Sequence, residues 1–359
     1  MAKPAKPRKT PRLPDALDIE DAPALLGYLR RTGRIAAAEQ PRIAVLQGGV
    51  SNRTVRVERE SGEAWVLKQA LAKLRVPVDW FSSPDRIYRE ALGLEWLARL
   101  APPGSIAPLL FEDREYRLLA MRAVPQPHEN WKTMLLDGRV RADHVLQFAT
   151  LLATIHRESH GRGDLAAVFG DRGFFESLRL EPYYGYSARQ APAAAAFLDS
   201  LIRETLDLRI ALVHGDYSPK NILVHEGRLV LLDHEVIHFG DPAFDLGFSL
   251  THFLGKAHHL PALRREFTSA AREYWRVYWE ALGESARRAW ATDLEPRAVR
   301  HTLACLLARV VGRSPLEYLD AAERIRQRNA VLRIIPHPPD RITNLIAIFE
   351  ENICLSSSV

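Results

Sequence analysis

The stretch Leu212-Val-His-Gly-Asp-Tyr-Ser-Pro-Lys-Asn-Ile-Leu-Val224, followed nine residues later by Asp233-His-Glu235, decides how this chain is read. An apolar, strand-like run delivers a His214-Gly215-Asp216 turn, with Asn221 five residues after the aspartate. Ile222 to Val224, a turn at Glu226-Gly227, and Leu229 to Leu232 predict a short β-ribbon that returns the chain to Asp233. A tight hairpin of this kind brings Asn221 and Asp233 to the same end of the strands, where one hard cation can bind both oxygens. Asp216 sits just upstream, free to take a proton from a hydroxyl.

Groups that position a metal, phosphates and a nucleophile are the working parts of kinase-type phosphoryl transfer. The pattern His214-Gly215-Asp216-x4-Asn221 with Asp233-x-Glu235 resembles the aminoglycoside phosphotransferase/choline kinase family. Protein kinases have Arg where Gly215 stands and Phe-Gly after the metal-binding Asp, and this chain has neither. Gly240-Asp-Pro-Ala-Phe-Asp-Leu-Gly247 is similar to the family as well. The resemblance implies an α+β, bilobal protein-kinase-like fold with a small antiparallel-sheet N-lobe and a mainly helical C-lobe. It implies ATP and Mg2+ as cofactors, Asp216 as the catalytic residue, and Asn221 and Asp233 as metal ligands. Glu235 either joins the metal shell or is a surface acid two residues past the ligand. Asp245 would brace the catalytic loop through backbone hydrogen bonds, and His214 would pack and hydrogen-bond the same loop.

Upstream, Ile43 to Leu46 and Thr54 to Glu58 read as strands around Gly48-Gly49-Val50-Ser51-Asn52. A glycine turn over a sheet lets backbone N–H groups approach phosphates. Gly48, Gly49, Ser51 and Asn52 are therefore nucleotide-flap candidates, given weight by the next strand, Ala64-Trp-Val-Leu-Lys68. Lys68 would neutralise phosphate charge. The predicted helix Pro84 to Leu97 offers Glu90 or Glu95 as its partner, and Arg86-x-x-x-Glu90 is similar to the family's helix glutamate. Tyr116 to Met121 reads as the last N-lobe strand, and Arg122 to Pro125 as the linker, with main-chain groups of Met121 and Ala123 facing adenine. The expected division is a basic tail (1–14), an N-lobe (15–124) and a C-lobe (125–359).

In the C-lobe a helix is predicted from Arg141 to His156, and the Gly- and aromatic-rich stretch Gly163 to Ala191 suits a substrate-facing loop. Helices are expected near Phe248–Phe253, Pro261–Leu282, Pro296–Val311, Pro315–Ile334 and Asp340–Asn352. Lys68-Gln-Ala-Leu-x-x-x-Arg75, Glu129-Asn-Trp131, Glu181-Pro-Tyr183 and the Asp-x-Glu loop resemble methylthioribose kinases. Those enzymes place Ser near Asn221 and carry an Arg-Arg pair where this chain reads Ala308-Arg309-Val-Val-Gly312. Tyr183, Arg309 and Arg313 are the acceptor-site candidates. The implied activity is phosphorylation of a small-molecule hydroxyl, on a methylthioribose-like sugar or related metabolite. An aminoglycoside phosphotransferase and a nucleotide-binding adapter without turnover are the alternatives.

The 359 residues are 47% hydrophobic and 26% charged, an ordinary globular composition. The net charge of +5 equals the five cations Lys3, Lys6, Arg8, Lys9 and Arg12 that precede the first acid, Asp15. The high pI therefore belongs to a Pro-rich tail that reads as disordered, not as a specific nucleic-acid surface. No apolar run has membrane-span length, the tail lacks a secretory h-region, and two cysteines suit a reducing cytoplasm. A homodimer is compatible with the sequence. His234-Glu235-Val-Ile-His238 matches the zinc-protease motif, which needs both histidines on one helix face. A β-rich run before it and Gly240-Asp-Pro242 after it argue against that helix.

Overall fold

The computed structural model describes residues 17–47, 49–76 and 79–355; the basic tail 1–14 and Gly48 lie outside these. The first helix, α1 (Ala22–Arg31), is capped by the Asp21 side chain and presents Leu25, Tyr28 and Leu29 to the interior. Then come β1 (Arg42–Val45), β2 (Asn52–Glu58), β3 (Ala64–Ala70), α2 (Arg86–Leu100), β4 (Leu109–Asp113) and β5 (Leu118–Arg122). The five strands form one antiparallel sheet in the order β1-β2-β3-β5-β4. Strand periodicity sorts its faces. Val55, Val57, Trp65 and Leu67 pack on α1, while Lys68, opposite Leu119, belongs to the other face and meets α2. β4 is absent from the sequence reading.

The second lobe opens with β6 (His128–Asn130), α3 (Trp131–Leu136) and α4 (Ala142–Ser159). α4 buries Val145, Phe148, Leu151, Leu152 and Ile155, the apolar stripe read from the sequence. Residues 163–190 are not a loose loop. They form α5 (Gly163–Phe169), α6 (Gly173–Phe175), a π-helix (Glu176–Gly185) and α7 (Tyr186–Gln190), with Leu165, Phe169, Phe175, Leu178, Tyr183 and Tyr184 all buried. Pro182 lies inside the π-helix, where the wide winding tolerates a missing N–H.

After α8 (Ala195–Asp207) come β7 (Ala211–Val213), the hairpin β8 (Ile222–His225) and β9 (Arg228–Leu231), and β10 (His238–Gly240). Positive φ at Glu226 (48°) and Gly227 (73°) gives the two-residue turn that matches strand twist. β6, β8 and β9 form one small sheet, and β7 and β10 another. The remainder is α9 (Ala243–His259), α10 (Arg264–Trp290, broken at Gly283), α11 (Leu294–Val311), α12 (Ala321–Ile334) and α13 (Ile342–Leu355). α12 starts six residues later than predicted, because Asp320 and Glu323 form a capping box there. No helix among the described residues is long and apolar enough to cross a membrane.

α9 is buried almost throughout and lies against α11. A Cβ on Gly247 would stand 2.4 Å from His301 Cβ and 2.6 Å from His301 backbone carbon. Gly247→Ala must therefore push the two helices apart. Overpacking of this kind is expected to cost about 1–3 kcal/mol, read as a lower urea midpoint with an unchanged slope.

Candidate active site

The catalytic-loop candidate is built on a turn that only glycine takes without strain. Gly215 has φ +78°, and a Cβ there would meet Val236 at 3.0 Å. Asp245, at the start of α9 and fully buried, accepts the backbone N–H of His214 (2.7 Å) and of Gly215 (2.8 Å). Burial works against its charge. Hydrogen bonds from His156 and these amides outweigh that and lower its pKa. His214 Nδ1 accepts the Asp216 N–H (3.2 Å), and its Nε2 lies 3.1 Å from His234 Nδ1. Burial lowers the pKa of both imidazoles, so they act as neutral struts.

Asp216 Oδ2 accepts a hydrogen bond from Asn221 Nδ2 at 2.9 Å and forms an ion pair with Arg179 Nη2 at 2.8 Å. Asn221 Nδ2 also donates to the Asp216 carbonyl, which leaves the Asn221 amide oxygen as the atom available to a ligand. The Leu232 N–H bonds Asn221 O at 2.9 Å, closing the hairpin and setting Asp233 beside Asn221. Asp233 adopts left-handed φ (+68°), a conformation that aspartate tolerates better than most side chains.

Opposite stands Lys68, whose Nζ reaches Glu90 Oε1 at 2.5 Å and Asp233 Oδ1 at 3.1 Å. Burial opposes its charge, but Asp233 and Glu90 outweigh it and raise the pKa. Burial pushes Glu90 up against the pull of Lys68; Asp233, more exposed, is held below the usual range by Lys68 and Lys220 despite its own desolvation. Carboxylate oxygens of Glu90, Asp233 and Glu235 lie within 4.8 Å of one another, and Glu90 Oε2 is buried without a hydrogen-bond partner. With the Asn221 amide oxygen this is an all-oxygen donor set, which fits a hard divalent cation.

Glu235 is no surface acid. It is 5% exposed, and its Oε2 accepts Arg86 Nε (3.1 Å) and Asn52 Nδ2 (3.4 Å). Arg86 is fully buried and also donates to the carbonyls of Ser51, Leu71, Ser82 and Ser83. Ser51 and Asn52 are therefore buried at this junction beneath the flap, while Gly49 is exposed upon it. At the lobe boundary, Met121 pairs with Val66 in the sheet, and the Ala123 N–H bonds Ala64 O at 2.8 Å. The Ala123 amide is thus committed to the sheet.

Among the acceptor-site candidates, Tyr183 has its ring centre 5.9 Å from the Arg179 guanidinium and 5.1 Å from that of Arg309. Arg309 bonds Ser314 and His252 and also faces Phe248; no carboxylate pairs with it among the described residues. Arg313 points elsewhere, to the Asp79 carbonyl, Glu181 and the Tyr186 ring. The zinc motif has no helix, since His234 faces His214 while His238 sits in β10 and stacks on Phe175. Arg179 and the junction role of Arg86 were missed by the sequence reading. Arg179 carries no motif, and Arg86 served only as a marker for Glu90.

A sheet lobe carrying a Lys–Glu pair, set against a helical lobe carrying an Asp/Asn loop, defines a kinase-like phosphotransferase. Residues 42–291 match the phosphotransferase enzyme family, and the chain belongs to that family. A methylthioribose kinase of Pectobacterium carotovorum is 25% identical over 296 residues, covering 74% of this chain and 71% of the relative. Among solved structures, a choline/ethanolamine kinase family protein from Mesorhizobium loti superposes with a TM-score of 0.52 at 17% identity, over 93% of this chain and all of that one. An amicoumacin kinase in complex with AMP-PNP, Ca2+ and Ami superposes with a TM-score of 0.57 at 13% identity, over 89% and 96% of the two chains. The protein is a small-molecule kinase.

Proposed function

We propose that this protein transfers the γ-phosphoryl group of ATP to a hydroxyl of a small, polyhydroxylated metabolite of the methylthioribose type, with magnesium as the metal. One observation supports the reading: Asp216 Oδ2 accepts the Asn221 amide and is ion-paired with Arg179, while Oδ1 has no hydrogen bond among the described residues, and Lys68, Glu90 and Asp233 form a charged cluster at the end of the same hairpin. Residues 15–124 would form the nucleotide lobe, with Gly48 and Gly49 over the phosphates and the main chain of Met121 and Ala123 at the base. Residues 125–359 would hold the acceptor.

Asp216 orients the acceptor hydroxyl and takes its proton as the new O–P bond forms, while the bond from the γ-phosphorus to the bridging oxygen breaks and ADP leaves. Lys68, aimed by Glu90, neutralises charge on the outgoing phosphates. Asn221 and Asp233 would hold magnesium, with Glu235 in reach, and the bound ion would neutralise charge building on the β- and γ-oxygens. Tyr183 and Arg309 would line the acceptor site, with Arg313 at its margin.

The acceptor side favours a neutral or anionic guest. The acceptor-site candidate Arg309 pairs with no carboxylate among the described residues, a cation poorly suited to a polycationic aminoglycoside. The test is magnesium-dependent ATP consumption against a panel of methylthioribose, pentoses and hexoses, choline and an aminoglycoside. Sugar-stimulated turnover is expected. Tight nucleotide binding with no turnover across the panel would instead make the chain an adapter, and preference for the aminoglycoside would overturn the substrate class.

A further inference from the structure

A buried ion pair has a large desolvation cost, so a pair formed with the catalytic aspartate needs an explanation. Arg179 is 8% exposed and stands on the π-helix, a winding that is rare and frequent at functional sites. Two of its nitrogens donate to carbonyls, Nε to Gly215 (3.0 Å) and Nη1 to Leu178 (2.8 Å), and Nη2 is ion-paired with Asp216 Oδ2 at 2.8 Å. It grips both the backbone of the catalytic turn and the carboxylate that the turn presents. With its nitrogens directed this way, it is built to hold the loop, not to bind a transferring phosphate.

Resting on the kinase reading above, we propose that Arg179 is a positioning residue for Asp216. With Asn221 it pins Oδ2, so that Oδ1 is the oxygen offered to the acceptor hydroxyl. In the reaction the hydroxyl proton passes to Oδ1, the acceptor oxygen bonds the γ-phosphorus, and ADP departs with the electrons of the broken P–O bond. Asn221 alone leaves the carboxylate free to rotate about one hydrogen bond; the arginine adds a second hold, anchored on the neighbouring peptide. Tyr183 packs one helical turn away against the same guanidinium, which places the clamp within the acceptor wall.

The test measures steady-state kinetics of Arg179→Ala and Arg179→Lys with magnesium-ATP and the fastest acceptor of the panel above. Arg179→Ala is expected to lose about 10²-fold in kcat, the scale of a misplaced reacting group. KM for ATP and for the acceptor should hold within about threefold, since substrate binding is not what is removed. Arg179→Lys should fall between Ala and wild type, and millimolar guanidinium ion should restore part of the kcat of Arg179→Ala but none of that of Asp216→Ala. A merely structural arginine would not give that selective rescue. Wild-type kcat in Arg179→Ala, or a loss confined to acceptor KM, overturns the clamp and leaves the kinase reading standing. Absence of acceptor-dependent turnover in the wild type removes both.

Discussion

Asp216→Asn is expected to lower kcat by about 10²–10⁴-fold, the usual contribution of a positioned general base, while nucleotide affinity stays near wild type. The substitution keeps the size and shape of the side chain. It removes the carboxylate charge proposed to face the acceptor hydroxyl, and with it the group that would take the hydroxyl proton. Of the groups proposed to hold nucleotide and metal, Lys68, Glu90 and Asp233 contact one another, and Asn221 bonds the loop backbone and Asp216 Oδ2, a position the amide oxygen of the variant side chain can fill. Those contacts survive the change. Steady-state turnover and titration with a fluorescent ATP analogue separate the two effects. A variant within tenfold of wild-type kcat would show that Asp216 is not the base. A parallel collapse of nucleotide binding would mean that the carboxylate organises the whole site. Arg179 loses its counter-charge in this variant, so a modest fall in Tm accompanies the loss of turnover without explaining it.

The parts legible in the sequence are those where local rules and the site agree. Glu226-Gly227 announces a two-residue turn, and that turn alone sets where Asp233 falls relative to Asn221. Alternation along β3 places Lys68 on the face opposite Trp65 and Leu67, before any partner is known. What could not be read is either non-periodic or non-local. β4 follows Pro102-Pro-Gly104 and is half-buried along its length, so neither propensity nor alternation marks it. The segment from Gly163 to Gln190 has glycines where a loop would, but its aromatic residues pack inward on α- and π-helical turns. Arg179 follows from that packing, and no spacing rule connects it to Gly215, 36 residues on, or to Asp216 beside it. Ser51 and Asn52 look like flap residues because they adjoin Gly49. Their burial depends on Arg86 and Glu235, which arrive from another helix and another lobe.

Arg86→Met is expected to destabilise the protein by about 3–5 kcal/mol, the cost of stranding one partner of a buried pair. Glu235 would remain nine-tenths buried beside Asp233 and Glu90, with Asn52 as its remaining donor. The carbonyls of Ser51, Leu71, Ser82 and Ser83 would lose their shared partner in the same step. Since this one guanidinium ties the flap, the start of α2 and the Asp-x-Glu loop together, the fall in Tm should come with weaker ATP binding. Glu235→Gln keeps an acceptor for Arg86 and should destabilise less. The double variant Arg86→Met/Glu235→Leu decides what Glu235 is for. If the glutamate serves only to hold Arg86, apolar replacement of both restores much of the stability, as it does for other buried pairs, and leaves the magnesium concentration for half-maximal turnover unchanged. If Glu235 also reaches the metal, stability recovers while the magnesium requirement rises. A single carboxylate that anchors the flap with one oxygen and serves the cation with the other would make closure over ATP depend on metal loading.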